Sequence, residues 1–109
     1  MIPEPARTLA LKGARLIVYA SAVPAGFHGI HRLRMQSRAL DNQLFVLSYN
    51  QAAPPFCGGS LIADPTGTVL QEAGEQEALL VQHLDLTRVD RWRQQEKIFS
   101  YRRPGLYRV

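Results

Sequence analysis

Residues 1–15 read MIPEPARTLALKGAR, and a short apolar run follows them directly. Pro5 is suited to the first turn of a helix, where a missing backbone N–H removes no intrahelical bond. Gly13 is suited to the left-handed residue that follows a helix end. Residues 15–20 show no apolar–polar alternation, which predicts a strand covered on both faces. The stretch therefore predicts a helix followed at once by an internal strand.

A second helix and strand are predicted next. Apolar and small residues recur at spacings of three and four along residues 30–42, which indicates an amphipathic helix. The face expected to be buried consists of Ile30, Leu33, Ser37, Leu40 and Leu44. Residues 44–49 are rich in strand-forming side chains and predict another buried strand.

A hairpin is predicted after a Pro/Gly-rich loop at residues 50–59. Its strands are residues 60–63 and 68–71, and residues 64–67 between them read DPTG. Asp at the first position, Pro at the second and Gly at the fourth are typical of a type I turn.

The rest of the chain predicts a strand at residues 78–86, a helix and a tail. Thr87 and Asp90 resemble a capping box at the start of the helix, with Asp in place of Glu or Gln. Residues from about 99 to 109 have no periodicity and are expected to form an extended tail. This order of elements predicts an α/β fold with a mixed sheet.

Composition limits the possible classes of protein. The 109 residues are 46% hydrophobic, which is typical of one globular domain. No apolar run reaches the roughly 18 residues of a membrane span, and no basic-then-apolar leader opens the sequence. Cys57 is the single cysteine, so an internal disulfide is excluded and a reducing, cytoplasmic location is expected.

The net charge of +4 comes mainly from arginines late in the chain. These are Arg88, Arg91, Arg93, Arg102, Arg103 and Arg108, with Lys97 among them. Such a cluster can bind nucleic acid, but it can equally be a solvated helix face or pair with acidic groups of another subunit. We favour the second interpretation and keep a small basic nucleic-acid-binding module as the alternative.

Four motifs occur in order along nearly the whole chain. They are residues 3–14 (PEPARTLALKGA), residues 34–43 (RMQSRALDNQ), residues 59–67 (GSLIADPTG), and Asp85-Leu86 followed by an arginine-bearing helix and residues 102–107 (RRPGLY). Together they resemble the nitrilase, or carbon–nitrogen hydrolase, superfamily. The first resembles the helix start that follows the family's catalytic cysteine. The second resembles most closely the amidases that act on small acids.

The resemblance implies half of a four-layer αββα sandwich with a mixed sheet, and it makes residues 1–109 the C-terminal portion of the domain. The implied reaction is hydrolysis of an amide or nitrile of a small molecule. In the family a cysteine thiolate attacks the carbon, a glutamate is the general base and a lysine helps to hold the oxyanion.

In the family those three residues precede the region that this chain resembles, so no residue here is assigned a catalytic role. The chain alone is therefore expected to be inactive, and no cofactor is implied. Its expected partner is a second copy of the chain or the N-terminal half of the domain. A non-catalytic partner of a complete hydrolase remains an alternative.

Candidate site residues lie where the first two strands end. Ligands of open α/β sheets bind beyond the carboxyl ends of strands, and by resemblance the end of the first strand shapes the acyl pocket. Ser21, Ala22 and Val23, together with Asn50 at the end of the second strand, are therefore predicted to be pocket walls. Glu4 and Arg7 are predicted to support the cysteine's turn, or to form an exposed ion pair of under about 1 kcal/mol.

Cys57 could in principle be a nucleophile, with His28, His31 and His83 available as bases. No sequence signature of a cysteine hydrolase surrounds it, so we interpret it as a loop residue that lines a pocket or packs beneath the hairpin. His28 and His31 lack a third ligand at a suitable spacing, and no metal site is predicted.

Overall fold

The computed structural model describes residues 2–107. The helices are α1 (Glu4–Leu11), α2 (His28–Asn42) and α3 (Thr87–Gln95). The strands are β1 (Leu16–Ser21), β2 (Phe45–Asn50), β3 (Leu61–Ala63) and β4 (Val69–Glu72). Two 3-10 turns, Ile98–Tyr101 and Pro104–Leu106, follow α3. In this described part of the chain, no helix is both long enough and apolar enough to cross a membrane.

The four strands form one mixed sheet in the order β1-β2-β3-β4. β1 and β2 are parallel, with Leu16 opposite Phe45 and Ser21 opposite Asn50. β2, β3 and β4 are antiparallel neighbours. The predicted α/β fold with a mixed sheet is confirmed.

The core lies between the sheet and the two helices α1 and α2. Ala6 and Ala10 of α1 are buried, and these small side chains let the helix pack closely against the rest of the cluster. Ile17 of β1 joins Met35 and Ala39 of α2 in the same cluster. Both helices therefore cover one face of the sheet.

Within residues 2–107, β1 is covered on one face only, and not on both faces as its apolar run predicts. Val18 is 61% exposed, and Leu16 and Ala20 are exposed with it. Tyr49 of β2, which pairs with Ala20, is 54% exposed and points to the same side. We call Leu16, Val18, Ala20 and Tyr49 the open sheet face. The apolar run on β1 is typical of a strand with both faces covered. Here α1 and α2 cover only the face that contains Ile17.

The expected buried face of α2 is wrong for Ile30, Leu33 and Leu40, which are between 47% and 66% exposed. Of the other two predicted residues, Leu44 just beyond the helix is fully buried and Ser37 is half-buried. The buried residues are instead His31, Met35, Ala39 and Asn42. They recur at spacings of three and four as well, so periodicity alone allows either face. The small Ala39 and the hydrogen bond between His31 and Ser48 of β2 favour the buried face that is observed.

The predicted hairpin is confirmed, and Asp64 organises its turn. The Gly67 N–H donates to the Asp64 carbonyl at 2.9 Å, and Gly67 has a φ of 77°. Oδ1 of Asp64 accepts from the backbone N–H and the hydroxyl of Thr66 at 2.8 and 2.6 Å. Arg88 of α3 donates to Oδ2 at 3.0 Å, which ties the turn to the last helix.

Residues 78–86 do not form the predicted strand. A strand needs a neighbour that accepts its backbone hydrogen bonds, and residues 2–107 supply none there. The capping-box interpretation is wrong as well. In a capping box the Thr87 hydroxyl would accept a bond from a backbone N–H of the first helical turn. Here the N–H and the hydroxyl of Thr87 both donate to Oδ1 of Asp85, at 3.0 and 2.6 Å.

The segment after α3 packs back on the start of the chain. Arg93 of α3 donates to the carbonyls of Ala14 and Asn42 at 2.9 and 3.1 Å. The guanidinium groups of Arg93 and Arg7 lie 5.1 and 5.0 Å from the centre of the Phe99 ring. The expected extended tail is thus folded into two 3-10 turns up to residue 107, and residues 108 and 109 lie outside the described residues.

Asp64 predicts an acid-sensitive contribution to stability. Burial by itself raises the pKa of Asp64, but hydrogen bonds from Thr66, Arg88 and Thr68 outweigh it and bring the pKa below the ordinary 3.8. A depressed folded-state pKa stabilises the fold above pH 3.8, and this stabilisation is lost as the pH falls through the folded value. We expect Asp64→Asn to lower the unfolding free energy at pH 7 by about 2 kcal/mol. Urea unfolding at pH 7 and below pH 4 checks this. An equal loss at both pH values would contradict it.

The burial of His31 predicts a second contribution to stability, which is lost on acidification at a pH above the range of Asp64. Burial, followed by the charges of His28 and Arg34, lowers the pKa of His31 from its ordinary 6.5. The folded state therefore favours the neutral ring, so its contribution is present above pH 6.5 and declines as the pH falls toward the folded value. We expect the chain to lose stability between pH 7 and pH 5 and expect His31→Gln to reduce that loss. Asp64→Asn is the matched control, because the pH dependence that it removes lies below pH 5 and the loss between pH 7 and pH 5 should stay unchanged. A pH dependence unchanged in His31→Gln would contradict the assignment.

Candidate functional site

The carboxyl ends of β1 and β2 lie side by side because the strands are parallel and Ser21 pairs with Asn50. The loops that leave these ends are joined by backbone bonds. The Cys57 N–H donates to the Val23 carbonyl at 3.0 Å, and the Ala25 N–H donates to the Pro55 carbonyl at 2.8 Å. The two loops therefore form one tied unit at this edge of the sheet.

Asn50 holds the two loops together. Its Oδ1 accepts from the Val23 N–H at 2.7 Å. Its Nδ2 lies 2.7 Å from the Gly58 carbonyl, 3.3 Å from Sγ of Cys57 and 3.4 Å from the Val23 carbonyl. Asn50 is only 2% exposed, so these contacts take place away from water. Its amide positions the loop backbone, a role that depends on contacts between distant parts of the chain.

The predicted pocket residues divide between two clefts. Ser21, Ala22 and Val23 line a cleft of about 360 Å³ together with His31 and Arg34. Asn50 borders a different cleft, of about 560 Å³, with Tyr49. The structure thus brings the three residues of the first strand end together on one cleft. Asn50 hydrogen-bonds Val23 but borders the other cleft.

His31 and Arg34 were not predicted to border this cleft. They come from the first part of α2, which begins after the loop that follows β1. Nε2 of His31 lies 2.9 Å from Oγ of Ser48, so the ring is held against β2. The spacing from Ile30 to Leu44 predicts instead that the opposite face of the helix is buried. A signal for these residues would have been the polar spacing of His31 and Arg34 near a strand end.

Cys57 is buried in the tied loops, with 7% of its surface exposed. Its Sγ lies 3.3 Å from Nδ2 of Asn50 and 3.5 Å from the Gly58 carbonyl. Among the hydrogen bonds of residues 2–107, none joins this thiol to a histidine. The arrangement lacks the adjacent base that activates a cysteine nucleophile.

The two neighbouring histidines contact different partners. Nε2 of His28 lies 3.2 Å from a Glu72 carboxylate oxygen, and Arg32 reaches the same carboxylate at 3.0 Å. A Cβ on Gly59 would lie 2.4 Å from Nδ1 of His28, so the loop approaches this ring more closely than any larger residue allows. Within residues 2–107, no group of three His, Cys, Asp or Glu side chains could hold a metal ion.

Glu4 and Arg7 are placed differently. Glu4 is exposed in the first turn of α1. Arg7 donates to the Asp41 carbonyl at 2.7 Å and lies over Phe99. Arg7 therefore joins α1 to the end of α2. Whether the pair supports a turn that precedes α1 stays a prediction.

The arginines of α3 are engaged within the chain. Arg88 pairs with Asp64, Arg91 lies 3.4 Å from Asp85, and Arg93 donates to two carbonyls. These contacts favour the structural interpretation of the basic cluster over a nucleic-acid surface. Arg102 and Arg103 lie in the tail, and Arg108 is outside the described residues.

The chain resembles known amidases over most of its length. It is 34% identical over 112 residues to the human omega-amidase NIT2, which covers 97% of this chain and 41% of the relative. The structure of Nit3 from Saccharomyces cerevisiae, a member of branch 10 of the nitrilase superfamily, matches this chain with a TM-score of 0.84 and 33% identity. The match covers 94% of this chain and 40% of the Nit3 chain. A third match is the structure of an amidase from Nesterenkonia sp. AN1 with the acetamide moiety of fluoroacetamide added at its active-site cysteine. The match covers 93% of this chain and 40% of the amidase chain, with a TM-score of 0.73 and 27% identity.

The matched length is informative about the extent of the fold. The chain spans about two-fifths of each of these proteins. The four-stranded mixed sheet with its three helices therefore corresponds to part of the nitrilase fold. The family model for carbon–nitrogen hydrolases matches residues 1–94, and the chain belongs to the carbon–nitrogen hydrolase family.

Proposed function

We propose that residues 1–109 are the C-terminal portion of an amidase-type carbon–nitrogen hydrolase domain that acts on amides or nitriles of small molecules. The observation that carries this proposal is the tied edge of the sheet, where the ends of β1 and β2 border open clefts. The match to about 40% of amidases supports it. The cysteine nucleophile, glutamate base and lysine belong to the remainder of the domain.

In this proposal the chain shapes the acyl pocket and contributes no reacting group. The thiolate of the remainder attacks the amide carbon, the glutamate moves the proton, and the lysine stabilises the oxyanion. Ser21, Ala22 and Val23 form a wall of small side chains. Asn50 fixes the backbone of that wall through both polar groups of Val23. A fixed wall orients a substrate with little loss of entropy at the moment of reaction.

We further propose that two uncovered apolar surfaces bind partners. The open sheet face lacks a covering layer in residues 2–107, and the remainder of the domain supplies it. Ile30, Leu33 and Leu40 of α2 form an exposed apolar stripe that fits a second copy of the chain. The single, reduced cysteine fits a cytoplasmic protein.

A chimera tests the proposed function. This chain replaces the matched 40% of the Nesterenkonia amidase, and ammonia release from acetamide is measured for the chimera and for the chain alone. We expect release by the chimera to exceed that of the chain alone by at least about 100-fold, since activation of a nucleophile supplies several kcal/mol. Fluoroacetamide should add to the cysteine of the amidase portion in the chimera.

Cys57→Ala is the control for this experiment. Because the Cys57 thiol is buried and lacks a base, the substitution should leave the activity of the folded chimera unchanged. Ammonia release by the isolated chain that disappears in Cys57→Ala would contradict the proposal. A folded chimera without activity would also contradict it.

A further inference from the structure

One row of polar side chains on α2 contacts the hairpin. His28, Arg32 and Gln36 are four residues apart, so they share one face of the helix. Nε of Arg32 donates to both carboxylate oxygens of Glu72, at 3.2 and 3.0 Å, and its Nη1 donates to Oε1 of Gln36 at 2.9 Å. Nε2 of Gln36 donates to the Gly67 carbonyl at 2.9 Å. We call His28, Arg32, Gln36 and Glu72 the polar row.

His28 is the member of the polar row that also contacts the loop after β2. Its Nε2 lies 3.2 Å from Oε1 of Glu72, and this contact orients the ring. Another edge of the ring lies against Gly59, where a Cβ would be 2.4 Å from Nδ1 and 2.6 Å from Cε1. The N–H of Gly59 donates to the Gly74 carbonyl at 3.0 Å. The backbone at Gly59 is therefore held between the His28 ring and Gly74.

This backbone is bonded to the predicted wall of the pocket. Gly58 directly precedes Gly59, and its carbonyl accepts from Nδ2 of Asn50 at 2.7 Å. Oδ1 of the same Asn50 amide accepts from the Val23 N–H at 2.7 Å. A displacement of the Gly58 carbonyl would therefore move the amide that holds Val23. Through these contacts the position of the His28 ring affects the position of the wall.

The contact between His28 and Glu72 orients a side chain and adds little to the stability of the whole fold. The two side chains are 45% and 25% exposed, and ion pairs near the surface contribute little to the free energy of unfolding. A loop held by few contacts can open locally at a lower free energy than the whole fold. Loss of the His28 ring is therefore expected to loosen the loop and leave the fold intact.

We propose that His28 is a positioning residue for the wall of the acyl pocket. Its ring fixes the loop backbone at Gly59, and through Asn50 this backbone fixes Val23. A fixed wall discriminates between acyl groups of different length, so His28 is also a determinant of specificity. Only this effect on specificity rests on the proposed function. The positioning of the loop stands on the contacts of His28, Gly59 and Asn50 within the chain.

Amide exchange in the full chain labelled with ¹⁵N tests the positioning. His28→Ala should speed exchange of the Val23 and Gly59 N–H groups at least about tenfold, because the ring holds their partners in place. Amides between β2 and β3 should exchange as in the parent, and the midpoint of thermal unfolding should shift by less than about 2 °C. His28→Gln keeps a donor toward Glu72 and should restore most of the protection.

Gln36→Ala is the matched control for the exchange experiment. Gln36 belongs to the same polar row, but its hydrogen bonds go to Arg32 and Gly67. We expect the Val23 and Gly59 amides of this variant to exchange as in the parent. Acceleration in His28→Ala alone would therefore assign the effect to the ring at the loop, and not to loss of any contact between α2 and the hairpin.

A double variant tests whether Glu72 acts through His28. Glu72→Ala removes the carboxylate that orients the ring, so it should also speed exchange of the Val23 amide. Adding His28→Ala to Glu72→Ala should speed this exchange by less than about twofold more, because side chains that act through one contact are not additive. Full additivity of the two substitutions would contradict this link.

The chimera tests the effect on specificity. The measured quantity is kcat/KM for acetamide and for butyramide, the ligand in another solved structure of the Nesterenkonia amidase. His28→Ala should move the ratio of the two values at least about threefold toward one, since a fixed pocket is what discriminates between added methylenes. The ratio does not depend on the fraction of folded enzyme, so a loss of stability alone leaves it unchanged. Gln36→Ala should have the ratio of the parent chimera.

Four results would overturn the proposal. They are rapid exchange of the Val23 amide in the parent, unchanged exchange in His28→Ala, equal acceleration in Gln36→Ala, and an unchanged ratio in the His28→Ala chimera. Exchange is measured in the chain alone and does not depend on ammonia release. An inactive parent chimera would contradict the proposed function, whereas the exchange results decide the positioning role of His28.

Discussion

Parallel pairing of β1 with β2 is the constraint on which the rest of the structure depends. Parallel neighbours cannot be joined by a tight turn, so the chain must cross over, and α2 makes that crossover. The crossover places α2 on one face of the sheet beside α1 and leaves the other face of β1 exposed. It also brings the ends of both strands to one edge, where Asn50 can tie their loops together.

Local patterns in the sequence were sufficient for the elements that form by themselves. Pro5 and Gly13 delimit α1, and the DPTG turn specifies the hairpin, because these residues act through their own backbone conformations. Local sequence patterns could not predict which face of α2 is buried. Both of its faces have helical spacing, and the choice depends on His31 reaching Ser48, a contact between separate elements.

In the candidate site, too, local sequence predicts some features, and others depend on contacts between distant residues. Strand ends can be located from sequence, so Ser21, Ala22 and Val23 were expected at the cleft that they border. Asn50 was expected beside them, but its amide is used by Val23 and Gly58, and these partners become neighbours only in the folded chain. Residues 78–86 show the converse: their composition favours a strand, yet the state of a strand depends on a neighbour that residues 2–107 do not contain.

Two guanidinium groups, one from the first helix and one from the last, lie against the Phe99 ring. The same two arginines hold carbonyls at the ends of α2 and α1, so the aromatic ring closes a loop of contacts between the beginning and the end of the chain. Regions joined in this way open as one cooperative unit and do not fray separately. Proteolytic removal of the tail would therefore loosen the opening helix, although the two are far apart in sequence.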